Sequence, residues 1–502
     1  MMSAMPALAR RAAWLGAAVL LCAAIFSEGV HHADEHYQIL EFAGWKLGIT
    51  PADQLPWEFA ERMRPALQPA MVVAVHRALA VLGEPDPFTV TMLLRMFAAA
   101  LTFLAALLLL RGQLRACTGL RPGADPALSE ERWLRLYLFL AFFLWFGVYC
   151  GVRFSSEGFS AALFAIGYAE IAHRREGATP WAALLSGALL GLAVVARLHM
   201  ALMVAGLVAW CLFVARMRWT ALVPIIAGGI IGFAAGAFID RWFYGEWVLT
   251  AWNYIDLNLL QGKAASFGTQ PWWHYFAALF QRMVPPFSLL FLAPPLVLFA
   301  LRRRDPLTWT VLPFLLAHML IGHKEYRFMF PVLPLLPALV VGGLALMQER
   351  GWFRWPGAKG KRILRAAFLL VHVPLLAVVL IKPAQLEAGC YRALHGIAQP
   401  GDMLLYTHDE RFRHSVPVWY TRPRGLGIAP LESLTEWPSG GRVFFASHAA
   451  HAAPPKGMQA EVIQSAYPEW LLRIGIGGWS DGAIVCRIWE VQRPSDWEPV
   501  EH

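Results

Sequence analysis

Apolar runs at 12–26, 93–110, 133–150, 159–172, 181–196, 201–215, 221–239, 285–301, 307–321, 330–347 and 366–381 dominate this chain. Each is long enough to reach through much or all of a bilayer core. A 502-residue chain that is 58% hydrophobic and 15% charged carries more apolar surface than a soluble core can hide. In lipid the backbone has to satisfy its own hydrogen bonds, which makes such runs helices. The expected fold is an all-α polytopic membrane protein with about eleven transmembrane helices.

Charge placement gives the expected topology. Basic residues fall on every second connection: Arg111, Arg115, Arg121, Arg132 and Arg135; Arg174 and Arg175; Arg216 and Arg218; Arg302, Arg303 and Arg304; then the stretch 350–365. The formal charge of +9 therefore reads as membrane topology and not as a nucleic-acid-binding face. The run 12–26 follows Arg10 and Arg11 and reads as an uncleaved first span leaving the cytoplasm, with a signal peptide as the other reading. This places 27–91, 151–158, 240–284, 323–327 and everything after 382 on the external side.

The domain division that follows is 1–382 as a transmembrane catalytic domain and 383–502 as an external domain. Within the first, 27–91 is a long external loop with its own amphipathic helices. There His36, Ile39, Leu40, Ala43 and Leu47 share a helical face suited to a membrane surface, starting just after Asp34 and Glu35. The tail has strand-like runs, DMLLYTHD, GRVFFASH and GAIVCRIWEVQ, and reads as a small α/β or mostly β domain. Four of the six cysteines, Cys22, Cys117, Cys150 and Cys211, lie in or beside apolar runs. Cys390 and Cys486 both lie in the tail, where a disulfide is open if the compartment is oxidising.

Three places carry chemistry. The stretch HKEYRF, 323–328, puts His323, Lys324, Glu325 and Arg327 between two apolar runs, as either an extramembrane turn with snorkelling cations or a site facing a pocket. Asp34 and Glu35 either cap a helix or supply a general base. Arg197, at the end of LLGLAVVA, either snorkels or neutralises a lipid phosphate. The aromatics of 240–284, including Trp273, His274 and Tyr275, suit an interfacial belt or a sugar-binding cleft. No cofactor is indicated. Asp34 and Glu35 leave a metal open, with no histidine at a fixed spacing to support one.

These residues also carry a resemblance. HADEHYQILEFA, PWEFAERMRPALQP, RFSSEGFSAALFA, DRWFYGEWVLTAWNYIDLNLL, QPWWHYF and HKEYRFMFPVLPLL, in this order, resemble the signatures of the family-22 membrane mannosyltransferases over 26–336. The resemblance implies a GT-C fold and inverting transfer of mannose from a polyprenyl-phosphate donor to a glycan or glycolipid acceptor, forming an α-mannoside. It further implies Glu35 as base with Asp34 orienting the acceptor, and His323, Lys324, Arg327 and Arg197 around the donor phosphate. Glu325 then orients Lys324 or Arg327, and Trp273, His274 and Tyr275 line the cleft. The active site is implied to be lumenal in the endoplasmic reticulum, or periplasmic in a bacterial inner membrane. Ala33 departs from the family, whose members commonly carry proline there, and the Ala-rich, Arg-flanked N-terminal run has a bacterial style. Other readings are transfer of a different polyprenyl-phosphate sugar, a lipid-glycan transporter or flippase, and a catalytically retired relative. No internal symmetry of the transporter kind is visible.

Overall fold

The structure is a computed structural model. It describes residues 6–118, 126–174, 179–352, 354, 356–384, 387–407, 418–449, 453–454, 457–465, 470, 473 and 484–494. Arg121 and Arg175 of the basic connections, and parts of two strand-like runs, lie outside these residues. The chain divides into two compact units. One comprises Met1–Ser27, Trp57–Met71 and Leu93–Lys382, the other Glu28–Pro56, Val72–Met92 and Pro383–His502.

The first unit is helical. Among the described residues five helices are long and apolar enough to cross a membrane: Ala7–Phe26, Pro87–Arg111, Trp219–Tyr244, Tyr326–Glu349 and Ala358–Ile381. The run expected to span at 133–150 is instead broken, with Glu131–Phe142 and Trp145–Gly151 meeting at a 46° bend. Pro180–Ala196, Met200–Val214, Ser288–Leu301 and Pro306–Leu320 are apolar but shorter. Every expected run is helical, yet the count of eleven full crossings is not reached by length. Apolarity specifies burial in lipid or protein, and only length specifies a crossing.

Close backbone approach holds much of this unit together. Pro180–Ala196 packs against Trp219–Tyr244 through Gly187 and Gly191 on one helix and Gly228, Gly232 and Gly236 on the other. A Cβ at Gly187 would fall on the Ile225 carbonyl, and one at Gly228 on the Leu184 carbonyl. Small residues four apart let two helix backbones touch, which is how helices associate where lipid removes the hydrophobic drive. Around this seam lies a core that includes Phe164, Leu190, Met203, Trp210 and Phe314. Buried arginines fix the first helix. Arg95 Nε donates to the Ala24 carbonyl at 2.8 Å, and Arg153 Nη1 donates to the Ser27 carbonyl at 2.8 Å.

The second unit contains a five-stranded mixed sheet, β1 (Met403–Tyr406), β2 (Gly427–Pro430), β3 (Val443–Ala449), β4 (Ala460–Ser465) and β5 (Ile484–Val491), in the order β2-β1-β3-β5-β4. β1 runs parallel to β2 and β3, whereas β5 is antiparallel to β3 and β4. Period-two alternation covers both faces. Leu404, Phe444 and Ile488 enter one core with Cys390, Tyr391 and Leu394, while Leu405, Phe445 and Trp489 enter the other. Cys390 and Cys486 are joined as a disulfide.

The helix carrying the acidic pair differs from expectation. It begins at Ala33, so Asp34 and Glu35 lie in its first turn, and it continues as a π-helical stretch His36–Glu41 and then Phe42–Leu47. His36, Gln38, Ile39, Leu40, Glu41, Phe42 and Ala43 are all buried, so this is an internal helix and not one lying on a membrane surface. Its anchor is Glu41, fully buried. Glu41 accepts from His36 Nε2 at 2.6 Å, Thr50 Oγ1 at 2.6 Å, and the backbone N–H groups of Trp419 and Tyr420 at 2.8 and 3.1 Å. Hydrogen bonds to a charged group contribute on the order of 1.5–3 kcal/mol each.

Gly228→Leu is expected to destabilise the protein by about 1–3 kcal/mol by forcing the two helices apart. Thermal melting of the detergent-solubilised variant checks this, and a wild-type transition would rule out the close-packed seam.

Candidate functional site

In the first unit the apolar helix Pro306–Leu320 stops before Ile321, and a 3-10 helix, Tyr326–Leu335, starts after the extended residue Glu325. Of the five residues between, Ile321 N–H still donates to the Ala317 carbonyl at 3.1 Å and the Glu325 carbonyl accepts from Phe328 N–H at 3.0 Å, and HKE falls in this non-helical stretch. Their partner is the segment before Trp272. Gln270 N donates to the Gly322 carbonyl at 2.9 Å, His323 Nδ1 to the Gly268 carbonyl at 3.1 Å, and Lys324 Nζ to the Gln270 carbonyl at 3.1 Å. The QPWWHYF and HKEYRF motifs are therefore adjacent.

The charged side chains form an alternating series. His323 Nε2 donates to Glu325 Oε1 at 3.0 Å, and Arg327 Nε and Nη2 hold the two Glu325 oxygens at 2.5 and 3.1 Å. Arg327 Nη1 lies 3.7 Å from Glu157 Oε1, which takes Arg197 Nη2 at 2.9 Å. Both guanidiniums lie near the Phe328 ring, 5.6 and 5.5 Å from its centre.

Local backbone explains these positions. Arg197 sits where Pro180–Ala196 ends in extended conformation, before Met200–Ala209 resumes. Glu157 occupies the first turn of Ser156–Arg174, where the helix dipole favours a carboxylate.

Burial is deep. Arg197, Arg327 and Lys324 are 7, 6 and 7% exposed, and Glu157 only 2%. Among the described residues Lys324 meets carbonyls, those of Gln270 and Ile321, in place of a carboxylate. Burial lowers its ammonium pKa from the ordinary lysine value. The Nε of Arg197 is buried without a hydrogen-bond partner among the described residues. Such a cluster has donors to spare for an anion. An apolar cavity is walled by Gly158, next to Glu157, by Cys150 and Gly151, and by Phe330, Leu333 and Pro334 of the 3-10 helix that begins beside Arg327.

Trp273 is half exposed, Tyr275 is buried, and burial pushes the Tyr275 phenol up, which keeps it neutral. Asp34 and Glu35 belong to the second unit. Glu35 is 7% exposed and accepts from the His31 N–H at 3.2 Å, while the Asp34 N–H donates to His32 Nδ1 at 3.2 Å. Among the described residues no group of three or more His, Cys, Asp or Glu converges to hold a metal ion.

Sequence reasoning passed over Glu157, although it lies within RFSSEGF. Its signal was an acid at the start of an apolar helix, which reads equally as a cap.

The chain is 27% identical over 354 residues to mouse GPI alpha-1,2-mannosyltransferase 3, covering 68% of this chain and 58% of that protein. With the human protein of that name it shares 26% over 326 residues, covering 64% of this chain and 54% of that one. It thus spans little more than half the length of these mammalian relatives. Yarrowia lipolytica GPI mannosyltransferase 3 is 27% identical over 452 residues, covering 84% and 78%. The solved structure of ArnT from Cupriavidus metallidurans bound to undecaprenyl phosphate superposes with a TM-score of 0.52 at 11% identity, covering 95% of this chain and 97% of that one. The fold is thus the GT-C type, in an integral membrane protein. The family profile matches residues 12–394, and the chain belongs to the Alg9-like mannosyltransferase family.

Proposed function

We propose that this protein transfers mannose from a polyprenyl-phosphate donor to a glycan or lipid-linked acceptor, inverting a β-linked sugar to an α-mannoside. The observation that carries the reading is the buried set Arg197, Lys324 and Arg327, with the Nε of Arg197 unpartnered among the described residues, and an apolar cavity walled by Gly158, beside Glu157, and by Phe330, three residues after Arg327. An anionic head on an apolar chain is the ligand such a place suits. ArnT, of the same fold, was solved with undecaprenyl phosphate.

In this reading the acceptor hydroxyl oxygen attacks the anomeric carbon, its proton passes to Glu35, and the bond from that carbon to the phosphate oxygen breaks. Asp34 orients the acceptor. The phosphate leaves as a stable anion held by Lys324, Arg327, Arg197 and His323, so cations suffice and no general acid is required. Glu325 holds Arg327 and His323 in place. Trp273, His274 and Tyr275 line the sugar cleft. The Cys390–Cys486 disulfide supports placing the tail in an oxidising compartment, periplasmic or lumenal.

Four outcomes test this. Membranes containing the chain are expected to move radiolabelled mannose from polyprenyl-phosphate mannose, but not from GDP-mannose, into a glycan or lipid product. Label moving only from another polyprenyl-phosphate sugar would replace the donor, and no transfer from any would favour a transporter. Glu35→Gln or Asp34→Asn is expected to lower turnover by about 10² to 10⁴ with donor binding retained; wild-type turnover in both removes the base assignment. Lys324→Ala is expected to weaken donor binding, read as a raised donor KM. Finally, Cys390 and Cys486 are expected to resist alkylation until a reductant is added. Immediate labelling of both would contradict the oxidising placement.

A further inference from the structure

We propose that Glu157 is a positioning residue. Its carboxylate fixes Arg197 and Arg327 in the orientation in which the pair takes the donor phosphate, and thereby sets donor affinity. The inference rests on the phosphate-cradle reading above.

The contacts are ion pairs. One oxygen, Glu157 Oε1, meets both cations, Arg197 Nη2 at 2.9 Å and Arg327 Nη1 at 3.7 Å. Arg327 is also held by Glu325, whereas Arg197 has weaker support: its Nη1 reaches Ser156 Oγ only at 3.4 Å, and its Nε has no hydrogen-bond partner among the described residues. Arg197 also stands on extended backbone at a helix break, with φ −152°, so no helical turn steadies its side chain.

Two guanidiniums beside one phenyl ring, at 5.6 and 5.5 Å from its centre, repel each other, and burial leaves little water to screen them. Glu157, 2% exposed, is the charge that joins them. A planar guanidinium grips phosphate through paired N–H donors only when its plane is aimed at the ligand. Loss of the carboxylate releases that aim. The same loss also raises the positive potential of the site, which by itself tightens anion binding. The two effects have opposite signs in donor affinity, and the shared-oxygen geometry favours the first.

The test uses the full chain in detergent, with polyprenyl-phosphate mannose as variable substrate. KM and kcat are measured for wild type, Glu157→Gln, Glu157→Asp, Arg197→Ala, Arg327→Ala and the double variant E157Q/R197A. Glu157→Gln is expected to raise donor KM about tenfold or more, with a smaller change in kcat. Glu157→Asp should recover part of this, and Glu157→Gln should add little in the Arg197→Ala background. Lower thermal stability in Glu157→Gln with an unchanged or lowered donor KM would mean a purely structural or purely electrostatic role, and overturns the proposal. If Glu157→Gln does not accumulate, Glu157→Asp decides: it keeps the charge but withdraws it by one methylene, and a wild-type donor KM overturns the proposal. Unchanged donor KM in both arginine variants would instead remove the phosphate-cradle reading, and this inference with it.

Discussion

A charge buried in this protein has to be answered where it stands. Water cannot answer it inside a helical membrane fold, and an unanswered ion there costs several kcal/mol. The consequence is visible wherever a cation enters the first unit. Arg95 and Arg153 are answered by the carbonyls of Ala24 and Ser27 at the end of the first helix. Arg197 and Arg327 are answered by Glu157, and Arg327 again by Glu325. The first two tie helices together through backbone carbonyls. The cluster around 323–327 is different because it brings cations and carboxylates together in one place, with Lys324 on the carbonyls of Gln270 and Ile321 beside them.

The second constraint is close contact between backbones. Where side chains face lipid, apolar surface gives helices no reason to prefer one another, so contact has to come from shape. Glycines four residues apart on Pro180–Ala196 and Trp219–Tyr244 supply it. Arg197 is the residue at which the first of these helices ends, so the seam fixes the starting point of the side chain that Glu157 then aims.

Much of the fold class was legible in the sequence. Eleven apolar runs, basic residues between them and six ordered motifs pointed to a polytopic membrane protein of this family, and the family profile covers residues 12–394. The spacing Gly228, Gly232, Gly236 was equally readable, since it is a local pattern. The bend near Phe142 was not, because 133–150 contains neither proline nor glycine at the break and its apolarity continues through it. The start of the helix at Ala33 was obscured because an acid in a first turn and an acid before a helix look alike in sequence. Nor was Glu157 legible: its partners Arg197 and Arg327 lie 40 and 170 residues further on, and no local periodicity encodes that meeting. Nothing in the composition of 28–56 or 72–92 joins them to the tail either. Glu28 on Arg392, Phe88 beside His395 and Glu41 on Trp419 do so through space.

That last contact bears on how the protein is made. Glu41 and Trp419 are 378 positions apart, so the carboxylate that steadies the helix of Asp34 and Glu35 waits for two backbone amides synthesised long after it. The disulfide adds a second late event, since Cys486 is 96 residues beyond Cys390. During biogenesis the membrane helices between can insert and pack in order, while the acidic helix stays without its anchor. The anchor of the acidic helix can therefore be complete only once residues 419 and 420 have been made.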